Sequence, residues 1–396
     1  MNKTLTQWLE YIESLHPQHI ELTLERVASV AERLSLLNPA PQVITVGGTN
    51  GKGSCVATIE ALAVELGMTV AAYTSPHLIR FNERLRINQQ MLDDVAWSEA
   101  FSMVEAARDG IALTYFEFTT LAALILAKQA KVELLVLEVG LGGRLDAVNI
   151  IDNQIAIITS IGFDHEDWLG NSLEAIAQEK SGIIRAKQTA LLANHNLVDL
   201  IRPYLAKGTQ VQVSSVPDDW RDLLNEYAAT LYPDSVAAGV TALQAMGKAL
   251  SREQFERGLA NAVIPGRWQS LNYAKPLWVD VAHNPQAVAN LASKIQQTGL
   301  TRWVFITAML KDKKAADALA HLNGIDAHWI CVPTTGVRGM SAQMLAQQCP
   351  DQAGKPACAE SLTDALAQVE QLSSPPEGIL VFGSFHIVAE MIKYSS

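Results

Sequence analysis

Val43-Ile44-Thr45-Val46-Gly47-Gly48-Thr49-Asn50-Gly51-Lys52-Gly53-Ser54 runs a β-branched segment into a glycine-rich turn that holds one lysine. Ser54-Cys55-Val56-Ala57-Thr58-Ile59-Glu60-Ala61-Leu62 follows at helical spacing, so the stretch reads as strand, phosphate loop and helix. Glycines let backbone N–H groups close around phosphate oxygens, a helix N-terminus adds partial positive charge, and Lys52 adds a full one. Ser54 is then placed to hold Mg2+. The common P-loop pattern has Ser or Thr directly after the lysine; here Gly53 intervenes, and only three residues separate Gly47 from Gly51. The alternative is a turn that only joins strand to helix.

Working outward, Leu5-Trp8-Leu9-Ile12 and Leu24-Val27-Val30-Leu34 predict two helices separated by His16-Pro17-Gln18-His19, with Thr23 as N-cap of the second and Arg26 just inside it. Beyond the loop, Thr69–Thr74 predicts a strand beside the phosphate-loop strand. It leads into Ser75-Pro76-His77-Leu78 and then Arg80, Glu83, Arg84 and Arg86. Three guanidinium groups so close together either capture a substrate carboxylate or phosphate or form a solvated loop. Tyr115-Phe116-Glu117-Phe118 starts a helix, and Leu134–Glu138 is a central strand whose terminal carboxylate suits Mg2+. Gly140, Gly142 and Gly143 then turn the chain toward Arg144, Asp146 and Asn149. Ile155–Thr159 is a further strand, followed by Asp164-His165. Nothing in the spacing singles out Lys180, near the end of the next helix.

Val211–Val213 reads as a strand, with helices around 220–231, 240–246 and 255–259. A second α/β series has strands at 277–281, 303–307, 328–332 and 379–382. The expected fold is α/β: a P-loop-containing, mostly parallel sheet domain (1–270), a linker (271–276) around Tyr273–Pro276, and a smaller Rossmann-like α/β domain (277–396). Sites in such sheets lie along the strand C-termini.

A chain of 396 residues, nearly half of them apolar, is long enough for two cores. With 41 acidic against 30 basic residues its net charge of −11 argues against a nucleic-acid or anionic-membrane surface. Cys55, Cys331, Cys349 and Cys358 form no CxxC pair and no zinc spacing, so reduced thiols in a cytoplasmic protein are expected. Met1–Gln7 has no apolar signal core, and the apolar runs are too short or too interrupted to span a bilayer.

Taken together, Gly48–Ser54, Thr74–Leu78, Leu137–Asn149, Glu179–Ile183, Pro265-Gly266-Arg267, Asp280–Pro285 and Gly383-Ser384-Phe385-His386 resemble the dihydrofolate synthase/folylpolyglutamate synthase family of the Mur ligase superfamily. The extra residue at Gly53 belongs to that superfamily's phosphate loop. The resemblance implies an ATP-dependent amide ligase, with the γ-phosphoryl group passing to a carboxylate of 7,8-dihydropteroate or a folate before the amine of L-glutamate displaces phosphate.

By that resemblance Asn50, Gly51, Lys52 and Gly53 cradle ATP phosphates. Ser54, Ser75 and Glu138 hold one Mg2+, and His165 holds a second. Lys180 matches a lysine that the family carboxylates, and a monovalent cation is a further expected ion. Arg267 and Asp280 reach ATP, with His283 by the phosphates or the incoming glutamate. Arg26, Ser75, Pro76, His77, Arg80, Phe116, Asp146 and Ala147 surround the pterin, although Phe116 has an ordinary core role as its alternative. Lys313, Arg338 and Ser384 serve glutamate.

The chain departs from the family at Ser235, where an Asn that contacts adenine is usual, in a shortened 214–234 region, and at Lys314, where Asp is common. A monomer is expected from the family alone. Two other readings stay open at this point: a Mur ligase acting on cell-wall precursors, and a nucleotide-binding paralogue without turnover.

Overall fold

The computed structural model describes residues 3–16, 21, 23–350 and 354–395. They divide into two compact units, 1–161 with 168–263, and 162–167 with 264–396. The predicted break at Pro17–His19 lies outside the described residues.

The first unit is built on eight strands: β1 (Gln42–Gly47), β2 (Val70–Tyr73), β3 (Leu85–Ile87), β4 (Gln90–Met91), β5 (Leu134–Glu138), β6 (Ile155–Ile158), β7 (Thr189–Leu192) and β8 (Gln210–Val213). Their order is β4-β3-β2-β5-β1-β6-β7-β8, parallel except at the β2/β3 and β3/β4 pairings. β2 therefore does not lie beside the phosphate-loop strand as the sequence suggested. β5, buried along its whole length, fills that position, as expected of an apolar strand in a sheet covered on both faces. Its register pairs Val46 with Glu138, which brings a carboxylate to the end of the phosphate-loop strand.

The helix Lys52–Glu65 is buried continuously from Ser54 to Ala63, because the helices Pro233–Ala245 and Arg252–Asn261 cover the side that the sheet does not. Thr114 and Glu117 form a reciprocal capping box that starts the helix Tyr115–Gln129. The helix Glu25–Arg33 is entered through Leu24, with no side-chain cap, so the predicted Thr23 cap is not formed.

The second unit carries β9 (Gln269–Leu271), β10 (Leu277–Asp280), β11 (Trp303–Thr307), β12 (Ala327–Cys331), β13 (Ala357–Cys358) and β14 (Gly378–Phe382) in the order β13-β12-β11-β14-β10-β9. All pairings are parallel except β9 with β10, where Leu271 faces Leu277. That antiparallel pairing puts 269–271 in the second sheet. The division thus falls at 263/264 rather than at 270, and the expected linker is the turn of this hairpin. Four strands of this sheet follow the predicted runs; β9 and β13 are short edge strands that apolar patterning does not mark. Among the described residues no helix is long and apolar enough to cross a membrane.

Candidate functional site

In the first unit the chain leaves β1 at Gly47, turns through Gly48–Gly51 and enters its helix at Lys52. Gly48 has φ +147° and Gly51 φ +86°; an added Cβ would meet Thr159 Oγ1 at 2.0 Å at the first and Ser235 Oγ at 2.2 Å at the second. Only glycine fits either position. The loop is fastened from behind by two residues that sequence reasoning passed over. Thr49 N donates to Ser160 O (2.9 Å) and Asn50 N to Ser160 Oγ (2.8 Å), while Thr159 Oγ1 donates to Asn50 O (2.7 Å). The one available signal was that Thr159-Ser160 directly follows an apolar strand.

Lys52 Nζ donates to Gly48 O at 3.0 Å, and Lys180 Nζ reaches the same oxygen at 3.1 Å. Lys180 is buried near the end of the helix Leu173–Ser181. The glycine-rich turn after β5 holds that helix end: Arg144 N donates to Glu179 O (2.8 Å), the Arg144 guanidinium pairs with Glu179 (2.7 Å), and Asn149 Nδ2 bridges Arg144 O and Gly182 O. Arg144 and Asn149 thus build the lysine's surroundings.

Asp146 is buried and accepts from Leu141 N (2.8 Å) and Val148 N (3.0 Å); burial pushes its carboxyl up to about 6 against those bonds. Ala147, also buried, opens the 3-10 turn that Asp146 caps. Glu138 accepts from Ser75 N at 3.1 Å, so the Ser75-Pro76 turn closes over the end of β5. Ser54 Oγ accepts from Tyr232 N (3.2 Å) and keeps its own proton and a lone pair for another partner. Phe116 stacks on Tyr73 with ring centroids 6.1 Å apart.

The arginine cluster does not act as one. Arg86 pairs with buried Glu60 (2.5 Å). Arg84 is buried between the rings of Phe81 and Tyr115 and donates through Nε to His77 Nδ1 at 3.0 Å. Burial, then the Arg84 charge, pushes His77 down to about 4. Arg80 alone is exposed, 3.8 Å from Asp94. Arg26 is held between Glu21 and Glu117.

In the second unit the hub is Asp164, which the sequence reading mentioned only as the neighbour of His165. It accepts from Lys313 Nζ (2.6 Å) and Asn284 Nδ2 (3.1 Å), and His283 Nε2 lies at 3.6 Å. Burial opposes its ionisation, but the neighbouring His283 and the Lys313 charge outweigh that and hold the carboxyl well below the usual range. Asn284 also caps the helix Pro285–Gln297, and His283 Nδ1 lies 2.7 Å from Val281 O. Lys313 is thus the buried partner of Asp164 in this structure.

Lys314 pairs with Glu166 at 2.8 Å, which gives that departure from the family a local partner. His165 sits at φ +53°, a conformation that few non-glycine residues adopt. Asp280 is buried and accepts from Trp268 N and Ala282 N, both at 2.9 Å. Arg267 lies over Phe385, Ser384 is buried where the helix Phe385–Ser395 begins, and Arg338 is exposed beside Asp312 (3.3 Å). Among the described residues no three His, Cys, Asp or Glu side chains converge as a metal cage.

The Mur ligase middle domain matches residues 46–218, and the Mur ligase glutamate ligase domain matches residues 266–385. The dihydrofolate synthase/folylpolyglutamate synthase of Escherichia coli is 38% identical over 98% of this chain and 95% of its own. Among solved structures, E. coli FolC in complex with DHPP and ADP superposes with a TM-score of 0.89 at 36% identity, over 99% of this chain and 97% of that one. The bifunctional enzyme of Yersinia pestis complexed with AMPPNP and Mn gives 0.86 at 38% identity, over 99% and 98%. With glycine-bound phosphate loop, buried lysine and two-sheet architecture all in place, the chain belongs to the dihydrofolate synthase/folylpolyglutamate synthase family of Mur ligases.

Proposed function

We propose that this protein joins the amine of L-glutamate to the carboxylate of 7,8-dihydropteroate, and to that of tetrahydrofolate glutamates, with ATP as the phosphoryl donor. ATP-dependent glutamate ligation in folate metabolism is the activity of its family. The observation that carries the reading is the phosphate loop, where a helix N-terminus, Lys52 and buried Lys180 meet at Gly48.

A carboxylate is a poor acyl donor until one oxygen becomes a phosphate leaving group. Phosphoryl transfer to an anion requires positive charge at the crowded oxygens. Lys52 and the N–H groups at the start of its helix supply it, and glutamate's amine then attacks the acyl phosphate and releases phosphate. Glycine at 48 and 51 lets Thr159 and Ser235 pack directly against the loop, which holds it in the tight turn that a phosphate cradle requires. ADP, AMPPNP and Mn in the related structures support a nucleotide and a divalent metal here. Ser54, Ser75 and Glu138 offer the oxygen donors that suit Mg2+, which usually takes one or two carboxylates and completes its shell with phosphate and water. When bound, the metal neutralises phosphate charge.

Our reading assigns a second Mg2+ to His165, whose positive φ is the kind of strain found at functional positions, and adds a monovalent cation. It also assigns carboxylation to Lys180. Two ammonium groups on one carbonyl oxygen repel, and a carbamate in place of one turns that repulsion into attraction. For the pterin we assign Phe116, Asp146, Ala147 and the Ser75–Arg80 loop. For glutamate we assign His283, Arg338 and Ser384.

The test is phosphate release from ATP with glutamate plus dihydropteroate, tetrahydrofolate or a muramyl nucleotide. Release with the pterins is expected, and release with the muramyl nucleotide alone would overturn the reading. Lys52→Ala is expected to abolish release while leaving the melting temperature near that of the wild type.

A further inference from the structure

Three of the four cysteines gather in the second unit. Cys331 ends β12, Cys358 ends β13 as its register partner, and Cys349 follows the helix Ala342–Ala346. The sulfurs of Cys331 and Cys349 are 3.6 Å apart, while Cys349 Sγ also lies 3.6 Å from Leu345 O. Cys331 is wholly buried and Cys349 is partly exposed. We propose that Cys331 and Cys349 form a redox-reactive dithiol that low-molecular-mass disulfides convert into an intrachain disulfide.

The exposures fix the order of events. The Cys349 thiolate attacks the small disulfide, forms a mixed disulfide and releases one small thiolate. Cys331 then gives up its proton and attacks the Cys349 sulfur as the thiolate, the second small thiolate leaves and takes up a proton, and the Cys331–Cys349 bond is made. Two protein thiols are oxidised and one small disulfide is reduced to two thiols. The Cys349 hydrogen bond, burial and the neighbouring thiols all push the Cys331 thiol above its ordinary range, which keeps it from attacking the small disulfide first; its part is the second step, where its target is already in contact at 3.6 Å. Cys55, buried in the first unit with its thiol pushed up by burial and by Glu138, is an internal control.

The bond would close a ring from 331 to 349. Within that ring Thr334 Oγ1 donates to Met309 O (3.0 Å) and accepts from Met340 N (2.8 Å), and Arg338 O accepts from Lys311 N (3.0 Å). Joining the two ends of the ring restricts the openings that expose this turn.

The experiment incubates the full chain with oxidised glutathione, blocks free thiols and maps the peptides. A Cys331–Cys349 linkage reversed by dithiothreitol is expected in the wild type and in Cys358→Ser, and none in Cys349→Ser. Amide exchange across 334–340 should slow several-fold in the oxidised protein. A lasting glutathione adduct at Cys349, a Cys331–Cys358 linkage, modification of Cys55 alone, or unchanged exchange in the cross-linked chain would overturn the proposal.

Discussion

Lys52 and Lys180 set their ammonium nitrogens on a single acceptor, the carbonyl oxygen of Gly48, at 3.0 and 3.1 Å. Lys52 also donates to Thr49 O (3.3 Å), but the two ammonium groups still repel across the shared oxygen, and a carbamate at Lys180 would turn that repulsion into attraction. Lys180→Ala is therefore expected to lower turnover by roughly 100- to 1,000-fold, the range for losing one preorganised charge stabiliser. Acetate in the assay should restore part of the rate by standing in for a carbamate. Rescue by methylamine instead would show that Lys180 works as an ammonium.

Arg86 and Glu60 are read here as a structural pair. Arg86→Met leaves Glu60, 1% exposed at its side chain, without its cation. Breaking a buried pair on one side costs about 3–5 kcal/mol. Urea unfolding should show a loss of that order, with the KM for the pterin substrate unchanged at a temperature where the variant is folded. A raised KM with unchanged stability would return Arg86 to the substrate site.

Asp146 predicts the sign of a pH effect. Its folded carboxyl titrates at about 6 rather than 3.8, so between those values the folded state holds more protons than the unfolded chain. Its contribution to stability is therefore greatest below pH 4, falls as pH rises to 6 and is level above that, the full change being on the order of 3 kcal/mol. The difference in unfolding free energy between wild type and Asp146→Ala, measured from pH 4 to 8, should follow that course. A difference independent of pH would show that Asp146 titrates normally.

Asp164→Ala removes the shared acceptor of Lys313 and Asn284. Amides in 162–167 and in the first turn of the helix Pro285–Gln297 should exchange about tenfold faster, which corresponds to about 1.4 kcal/mol of lost local stability. Amides of Gly48–Lys52 should keep their protection. Unchanged exchange in 162–167 would mean that other contacts hold the segment.

The sequence disclosed what is local. A β-branched run, a glycine turn and an apolar helix gave β1, the loop and its helix at their observed positions, and the second series of strands emerged in the same way. It did not disclose sheet order, because a strand's neighbours depend on later chain: β5 enters between β1 and β2 only after the helix Tyr115–Gln129 has crossed. The burial of Lys180 was hidden for the same reason, since Arg144 and Asn149 come from another turn. Arg86 looked like Arg80 in sequence, and only the helix placing Glu60 opposite it separates them. Thr159, Ser160 and Asp164 are ordinary polar residues after a strand, and their importance lies in the groups brought to meet them.

The hexapeptide 162–167 gives the chain an order of completion during synthesis. Asp164 emerges 149 positions before Lys313, its closest cation. At about 5–20 residues per second that is an interval of roughly 7 to 30 s. Throughout it the first sheet can close while these six residues wait for partners not yet made. No single cut of the chain frees both units whole: a fragment ending at 263 would carry the hexapeptide without its partners, and one beginning at 264 would lack the carboxylate on which Lys313 and Asn284 converge.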